Sequence, residues 1–240
     1  MKYSETYEVR WHDTDADRLM RPSQMLAYMQ ETSNHHVASV GMPLDDLRDE
    51  KHLAFILSRM RVAIYRRPFS FEKVEVQTWT NPSRGFSSER SFRMLCGEET
   101  VAEASTTWAL IGTDDRKFHR LEETGYAFED EEPVDTGLAP RLRIPADLSM
   151  ETFGVRPIVY SDLDYNMHMN NTHYPDMLCD HMPLEDVRRI SGISLSYLRE
   201  AAYGDRITVT GAKTEDGYVF RTFNQNGETC LEAQIRITRI

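Results

Sequence analysis

Two periods alternate along this chain. From Ser23 the apolar residues Met25, Met29, Val37 and Val40 recur near helical spacing, Pro22 stands at the start and Gly41 falls where a left-handed cap is wanted, which predicts one long helix. A shorter helix is predicted from Asn171, taken as its N-cap, through Tyr174, Met177, Leu178 and Cys179 to Pro183, with Pro175 tolerable in its first turn. Strict alternation in Val74-Glu75-Val76-Gln77-Thr78-Trp79 and in Ile207-Thr208-Val209-Thr210 predicts half-buried strands. Hairpins are predicted where Arg90 to Leu95 meets Cys96-Gly97 and Glu103-Ala104, and where Phe220 to Phe223 meets Asn226-Gly227 and Glu232-Ala233.

These elements come in the same order twice. The spaced acids Asp13-x-Asp15-x-Asp17 return as Asp162-x-Asp164-x-Asn166 at a constant offset of 149 residues, each ahead of a predicted helix and then of strands. Between the halves, the stretch from Gly112 to Val155 is acidic, aperiodic and punctuated by Pro133, Pro140 and Pro145. The economical architecture is an α+β chain of two antiparallel sheets, each wrapped around its own helix. The boundaries expected are 1–128 for the first domain, 129–153 for a linker and 154–240 for the second.

Composition narrows what such a chain does. With 240 residues, 40% hydrophobic and 28% charged, it should fold and bury a core. A net charge of −11 argues against nucleic acid or an anionic membrane as partner, and no apolar run reaches the ~20 residues of a membrane span. The start, MKYSETYEVRW, lacks the apolar core of a secretory signal, so the cytoplasm is the expected compartment. Cys96, Cys179 and Cys230 are widely spaced and read as structural thiols. No metal site is expected: the acidic cluster at Asp13 has Arg18 and Gln24 where a calcium loop needs Gly and Glu, and His35-His36 are adjacent, not one turn apart, so they read as partly exposed helix residues.

The main chemical candidate is DLDYNMHMNN, Asp162 to Asn171. Read as an extended segment, it sets Asp162, Asp164, Asn166, His168 and Asn170 on one side and apolar residues on the other. A helix-capping loop explains the Asp and Asn residues but gives His168 no duty. As chemistry the row suits hydrolysis, with a carboxylate or histidine taking a proton from water and helix N-terminal amides near Asn171 facing an oxyanion. The first-half row, Asp13, Asp15, Asp17, Leu19 and Arg21, has no histidine.

Ser161 to Tyr174 resembles the DLDxNxHxNNxxY segment of the acyl-ACP thioesterase family (ACP, acyl carrier protein). Leu195-Ser196-Tyr197-Leu198-Arg199-Glu200 is similar to its LxYxRE strand, and Trp11-His12-Asp13-Thr14-Asp15 to its WxDTD-like opening. The resemblance implies a tandem hotdog fold, with an acyl-chain-binding first domain and a catalytic second one. It implies Asp164, Asn166, His168 and Glu200 as the catalytic set, with Asp164 or Glu200 as base, and no cofactor. Many plant members carry Cys after that Glu; here the residue is Ala201, which leaves a cysteine nucleophile unsupported. The acyl tail is expected against Met25, Leu26 and Met29, and the acidic carrier on Arg59, Arg61, Arg66 and Arg67. An acyl-CoA thioesterase and a non-catalytic acyl-binding protein are the alternative readings, and a homodimer is compatible with hotdog sheets.

Overall fold

The computed structural model describes residues 2–126 and 129–238. The chain divides into two units, residues 1–60 with 65–136, and residues 61–64 with 137–240.

The first unit is built on β1 (Tyr3–Glu8), β2 (Leu53–Ile64, whose residues 61–64 count with the second unit), β3 (Lys73–Arg84), β4 (Ser87–Cys96) and β5 (Glu99–Gly112), in the order β1-β3-β4-β5-β2, with the short β6 (Phe118–His119) antiparallel to β5. Helix α1 (Pro22–Ser39) lies against β3, and the short α2 (Leu44–Asp49) follows it. Most of the predicted stripe is buried: Met25, Met29 and Val37, together with Leu26, are inside with Val74, Val76, Phe92 and Met94 of the sheet, whereas Val40, at the C-cap, is exposed. Each such side chain contributes ~1.5–3 kcal/mol on burial. The helix ends as its sequence predicts, with Gly41 at φ 83° and the Met42 N–H reaching back 3.0 Å to the Val37 carbonyl.

The adjacent histidines differ from expectation. His35 is exposed, but His36 is buried, stacked on Tyr3 at 5.3 Å, with Nδ1 accepting from Arg90 Nη1 at 2.9 Å. Burial, and then the Arg90 charge, push its pKa down to about 4. Neighbours on a helix point 100° apart, so one faced the sheet and the other water.

The second unit is built on β7 (Glu151–Pro157), β8 (Ile190–Tyr197), β9 (Arg206–Thr214), β10 (Gly217–Phe223) and β11 (Thr229–Ile237), antiparallel in the order β8-β11-β10-β9-β7. Its helical segment is a 3-10 turn (Asn171–His173) running into α3 (Tyr174–Cys179), with α4 (Leu184–Val187) beyond. Tyr174, Met177 and Leu178 are buried, as are Ile193, Leu195, Ile207, Val209, Phe220 and Ile235 of the strands. The cap is Asn170, not Asn171: its Oδ1 accepts the Thr172 N–H at 2.9 Å. Gly211 leaves room for Phe153, since a Cβ there would sit 2.4 Å from that ring.

Both predicted hairpins form, β4–β5 and β10–β11, and each carries the same cross-strand ion pair: Arg93 with Glu103 at 2.6 Å, Arg221 with Glu232 at 2.7 Å. The acidic connection is ordered along its path. Trp79 and Asn81 donate to the carbonyls of Glu132 and Glu131, both at 2.9 Å, and Arg221 donates to Ile144 at 3.2 Å.

Candidate active site

The stretch Asp162 to Asn171 folds back on itself instead of running extended. The Asp164 N–H bonds the His168 carbonyl at 2.8 Å, the Met167 N–H bonds the Asp164 carbonyl at 3.1 Å, and Leu163 pairs with Met169. Asp164 Oδ1 accepts the N–H groups of Asn166 at 2.8 Å and His168 at 3.3 Å, so the carboxylate itself draws the turn closed. Met167 takes φ 63° at the tip. The expected five-residue polar row is therefore broken up. Asp162 is buried, accepting from the Val159 N–H at 2.9 Å and from Arg156, and Asn170 is spent on its cap. Asp164, Asn166 and His168 remain on the turn.

The first unit contains the same turn. Asp15 Oδ1 accepts from Asp17 N–H at 2.9 Å and Leu19 N–H at 3.2 Å, Arg18 has φ 61°, and Thr14 pairs with Met20. In both units the segment before the next strand closes over it: Met20 N–H bonds Pro68 O at 2.7 Å, and Met169 N–H bonds Ala201 O at 2.8 Å. That correspondence, a constant 133 residues, also relates Ser70 N–H to Arg18 O and Tyr203 N–H to Met167 O. It equates Glu200 with Arg67, and Gly204 at φ 85° with Phe71 at φ 71°.

With the backbone held constant, the side chains differ where chemistry would occur. In the first unit Leu19 stands at the histidine position, and Arg67 reaches Asp15 Oδ2 at 2.7 Å, a nearly buried ion pair. In the second, His168 Nε2 faces Glu200 Oε2 at 3.6 Å, with side chains 29% and 44% exposed. That separation is too long for a direct hydrogen bond. Two carboxylates and an imidazole thus replace a neutralised pair.

Tyr197, three residues before Glu200, ties strand to turn by donating its hydroxyl to the Asn171 carbonyl at 2.9 Å. The i+4 residue to that carbonyl is Pro175, which has no N–H to give. Burial holds the Tyr197 phenol well above its ordinary pKa, hence protonated and a donor. Its counterpart at the 133-residue offset is Ile64. The spacing of the LxYxRE residues placed Tyr197 near the site, but nothing in the sequence told what its hydroxyl bonds.

The remaining candidates fall elsewhere. Met25, Leu26 and Met29 are fully buried, and none of them lines the pocket described in the first unit, about 420 Å³ including its open mouth, which Val37, Met42, Phe55, Ser88, Arg90 and Trp108 border. Arg66 is engaged by Glu72 and Glu99 at 2.8 Å each, Arg67 by Asp15, and Arg61 donates to the Leu138 carbonyl at 3.2 Å. Among the described residues, no cluster of three His, Cys, Asp or Glu could hold a metal ion, and no helix is long and apolar enough to cross a membrane.

Known proteins share this fold. The acyl-ACP thioesterase N-terminal domain matches residues 1–128, and the acyl-ACP thioesterase C-terminal domain matches residues 145–238. An oleoyl-acyl carrier protein thioesterase 2 of Arabidopsis thaliana is 26% identical over 95% of this chain and 67% of its own length. A palmitoyl-acyl carrier protein thioesterase of Gossypium hirsutum is 24% identical over 92% of this chain, which spans 58% of it. The fold is that of an acyl-ACP thioesterase from Bacteroides thetaiotaomicron, with TM-score 0.87 at 18% identity over 99% of this chain and 98% of that one. It is likewise that of a 12:0-ACP thioesterase from Umbellularia californica, with TM-score 0.84 at 21% identity over 99% and 97%. With both of its domains matched, and with the tandem hotdog architecture that those structures share, the chain belongs to the acyl-ACP thioesterase family of thioester hydrolases.

Proposed function

We propose that this chain releases fatty acids from acyl-ACP, with His168 and Glu200 activating the attacking water. The observation that carries the assignment is the His168–Glu200 pair at 3.6 Å, standing where the otherwise matching turn of the first unit has Leu19 and an Arg67 locked to Asp15. Glu200 takes a proton from water as its oxygen attacks the thioester carbonyl, and His168 orients that water. Asp164 fixes the loop through two backbone N–H groups, which holds the imidazole in position, and Asn166, exposed on the same turn, offers its amide to carbonyl or water. The Asn171 N–H, first in the turn that leads into α3, faces the oxyanion. Collapse of the intermediate breaks the C–S bond; the thiolate leaves and takes up the proton, leaving a carboxylic acid. The reading keeps the cytoplasm as the compartment.

Thiol release from acyl-ACP over a series of chain lengths tests this on the native protein and on His168→Ala, Asp164→Ala and Glu200→Gln. Loss of the base should lower kcat by about 10²–10⁴. Four proteins of equal rate refute the site. Matched acyl-CoA substrates distinguish the carrier, and tight acyl binding without thiol release would mark a binding protein instead.

A further inference from the structure

The helix that follows each turn begins differently in the two units, and two residues change together. At the 149-residue offset Asn171 corresponds to Pro22 and Pro175 to Leu26. Leu26 lies inside α1, where the N–H four residues on serves the Pro22 carbonyl in the ordinary helical way. Pro175 has no N–H to give, and its segment starts as a 3-10 turn (Asn171–His173) before α3. Where that donor is missing, the Tyr197 hydroxyl meets the Asn171 carbonyl at 2.9 Å, at the position Ile64 fills at the 133-residue offset. Leucine goes with isoleucine, and proline with the phenol.

Satisfying one carbonyl did not require a strand residue, because a helix supplies that donor itself. What the phenol adds is a tie between two segments. Tyr197 lies three residues before Glu200, and Asn171 three residues after His168. Past Glu200 the same two segments are joined by the Met169 N–H to Ala201 O bond at 2.8 Å and by the bridge between His168 and Ala202. Before Glu200, the Leu198 and Arg199 N–H groups bond the Cys230 carbonyl at 2.8 and 3.1 Å, which fixes the end of β8 to β11 and not to the turn. The Tyr197 hydroxyl ties that end to the turn. We infer that Tyr197 is a positioning residue for the hydrolysis proposed above, on which the inference rests, and that it holds His168 and Glu200 at their working separation through Asn171. It touches no reacting atom in this role. Losing the tie lets turn and strand shift against each other, which costs rate and not substrate affinity.

The test is a cycle of four proteins: native, Tyr197→Phe, Pro175→Ala and the double variant. Tyr197→Phe keeps the edge-on ring contact with Tyr174, at 5.5 Å, and removes only the hydroxyl. Pro175→Ala offers the Asn171 carbonyl an N–H from within the helix but no link to the strand. Tyr197→Phe is expected to lower kcat on acyl-ACP about ten- to a hundredfold, with KM within about twofold of native and Tm lower by about 2–4 °C. In the Pro175→Ala background the same change should cost less in Tm and still lower kcat by a similar factor. The kcat decides. If Pro175→Ala restores it, the phenol is a helix cap and the inference is overturned; a native kcat in Tyr197→Phe, or a loss confined to KM, overturns it too. His168→Ala is assayed alongside: normal hydrolysis by that variant sinks the active-site assignment, whereas an inactive His168→Ala beside a fully active Tyr197→Phe sinks only the tie.

Discussion

Asp15→Ala and Arg67→Met remove opposite ends of one ion pair and should differ sharply in cost. The side chains are 23% and 3% exposed, joined at 2.7 Å, and Arg67 Nη2 is buried without a hydrogen-bond partner. Removing the carboxylate leaves a buried guanidinium with its counter-ion gone, a loss of ~3–5 kcal/mol, and releases the amides of Asp17 and Leu19 for ~1 kcal/mol more. Removing the guanidinium deletes the charge and the orphan donor together. Asp15, which keeps its two amide bonds and some contact with water, tolerates this, so Arg67→Met should lie within ~1 kcal/mol of native. At ~2–4 °C per kcal/mol for a chain of this size, Asp15→Ala is expected ~8–24 °C below native in Tm and Arg67→Met within ~4 °C. Thermal and urea unfolding measure both, and the ordering should persist at high salt because the pair is largely screened from solvent. Equal costs, or a larger cost for Arg67→Met, would refute the claim that the buried cation depends on Asp15.

Two further outcomes follow from burial. His36, with its folded pKa at about 4 against 6.5 unfolded, contributes stability that is complete above pH 6.5 and is lost as the pH falls toward 4, where the unfolded chain takes up the proton; the span is about 3 kcal/mol. His35, raised first by its hydrogen bond to Glu5, has the opposite sign, so the measurement is the difference in urea-unfolding free energy between native protein and His36→Gln across that range. A pH-independent difference rejects the account. Met29→Ala should cost ~2–5 kcal/mol as a core truncation; in the folded variant a shifted acyl-chain profile supports the expected contact of Met29 with the acyl tail, and an unchanged profile makes it a core residue alone.

Periodicity and punctuation carried most of the fold. The helix from Pro22 to its Gly41 cap, both hairpins with their left-handed Gly97 and Gly227, and the duplication itself depend on neighbours close in sequence, where spacing alone determines which face is buried. The repeated acids at Asp13, Asp15, Asp162 and Asp164 likewise announced two matching loops. What those acids do was not legible, because an Asx carboxylate that closes a turn and a row of polar groups on a strand have the same sequence pattern. Only the hydrogen bonds from Asn166 and His168 to Asp164 separate them.

Contacts between residues far apart in sequence are set by packing, and no local pattern records them. Nothing around residue 36 foretold its burial beneath Tyr3, and nothing around residue 67 foretold a lock on Asp15. By itself the sequence determined the duplicated elements and the residue types at the turn in each copy. The tertiary structure decided that Glu200 faces His168 while Arg67 neutralises Asp15, because backbone bonds such as Met169 N–H to Ala201 O bring a distant segment across each turn, and the side chain it delivers sets the charge there.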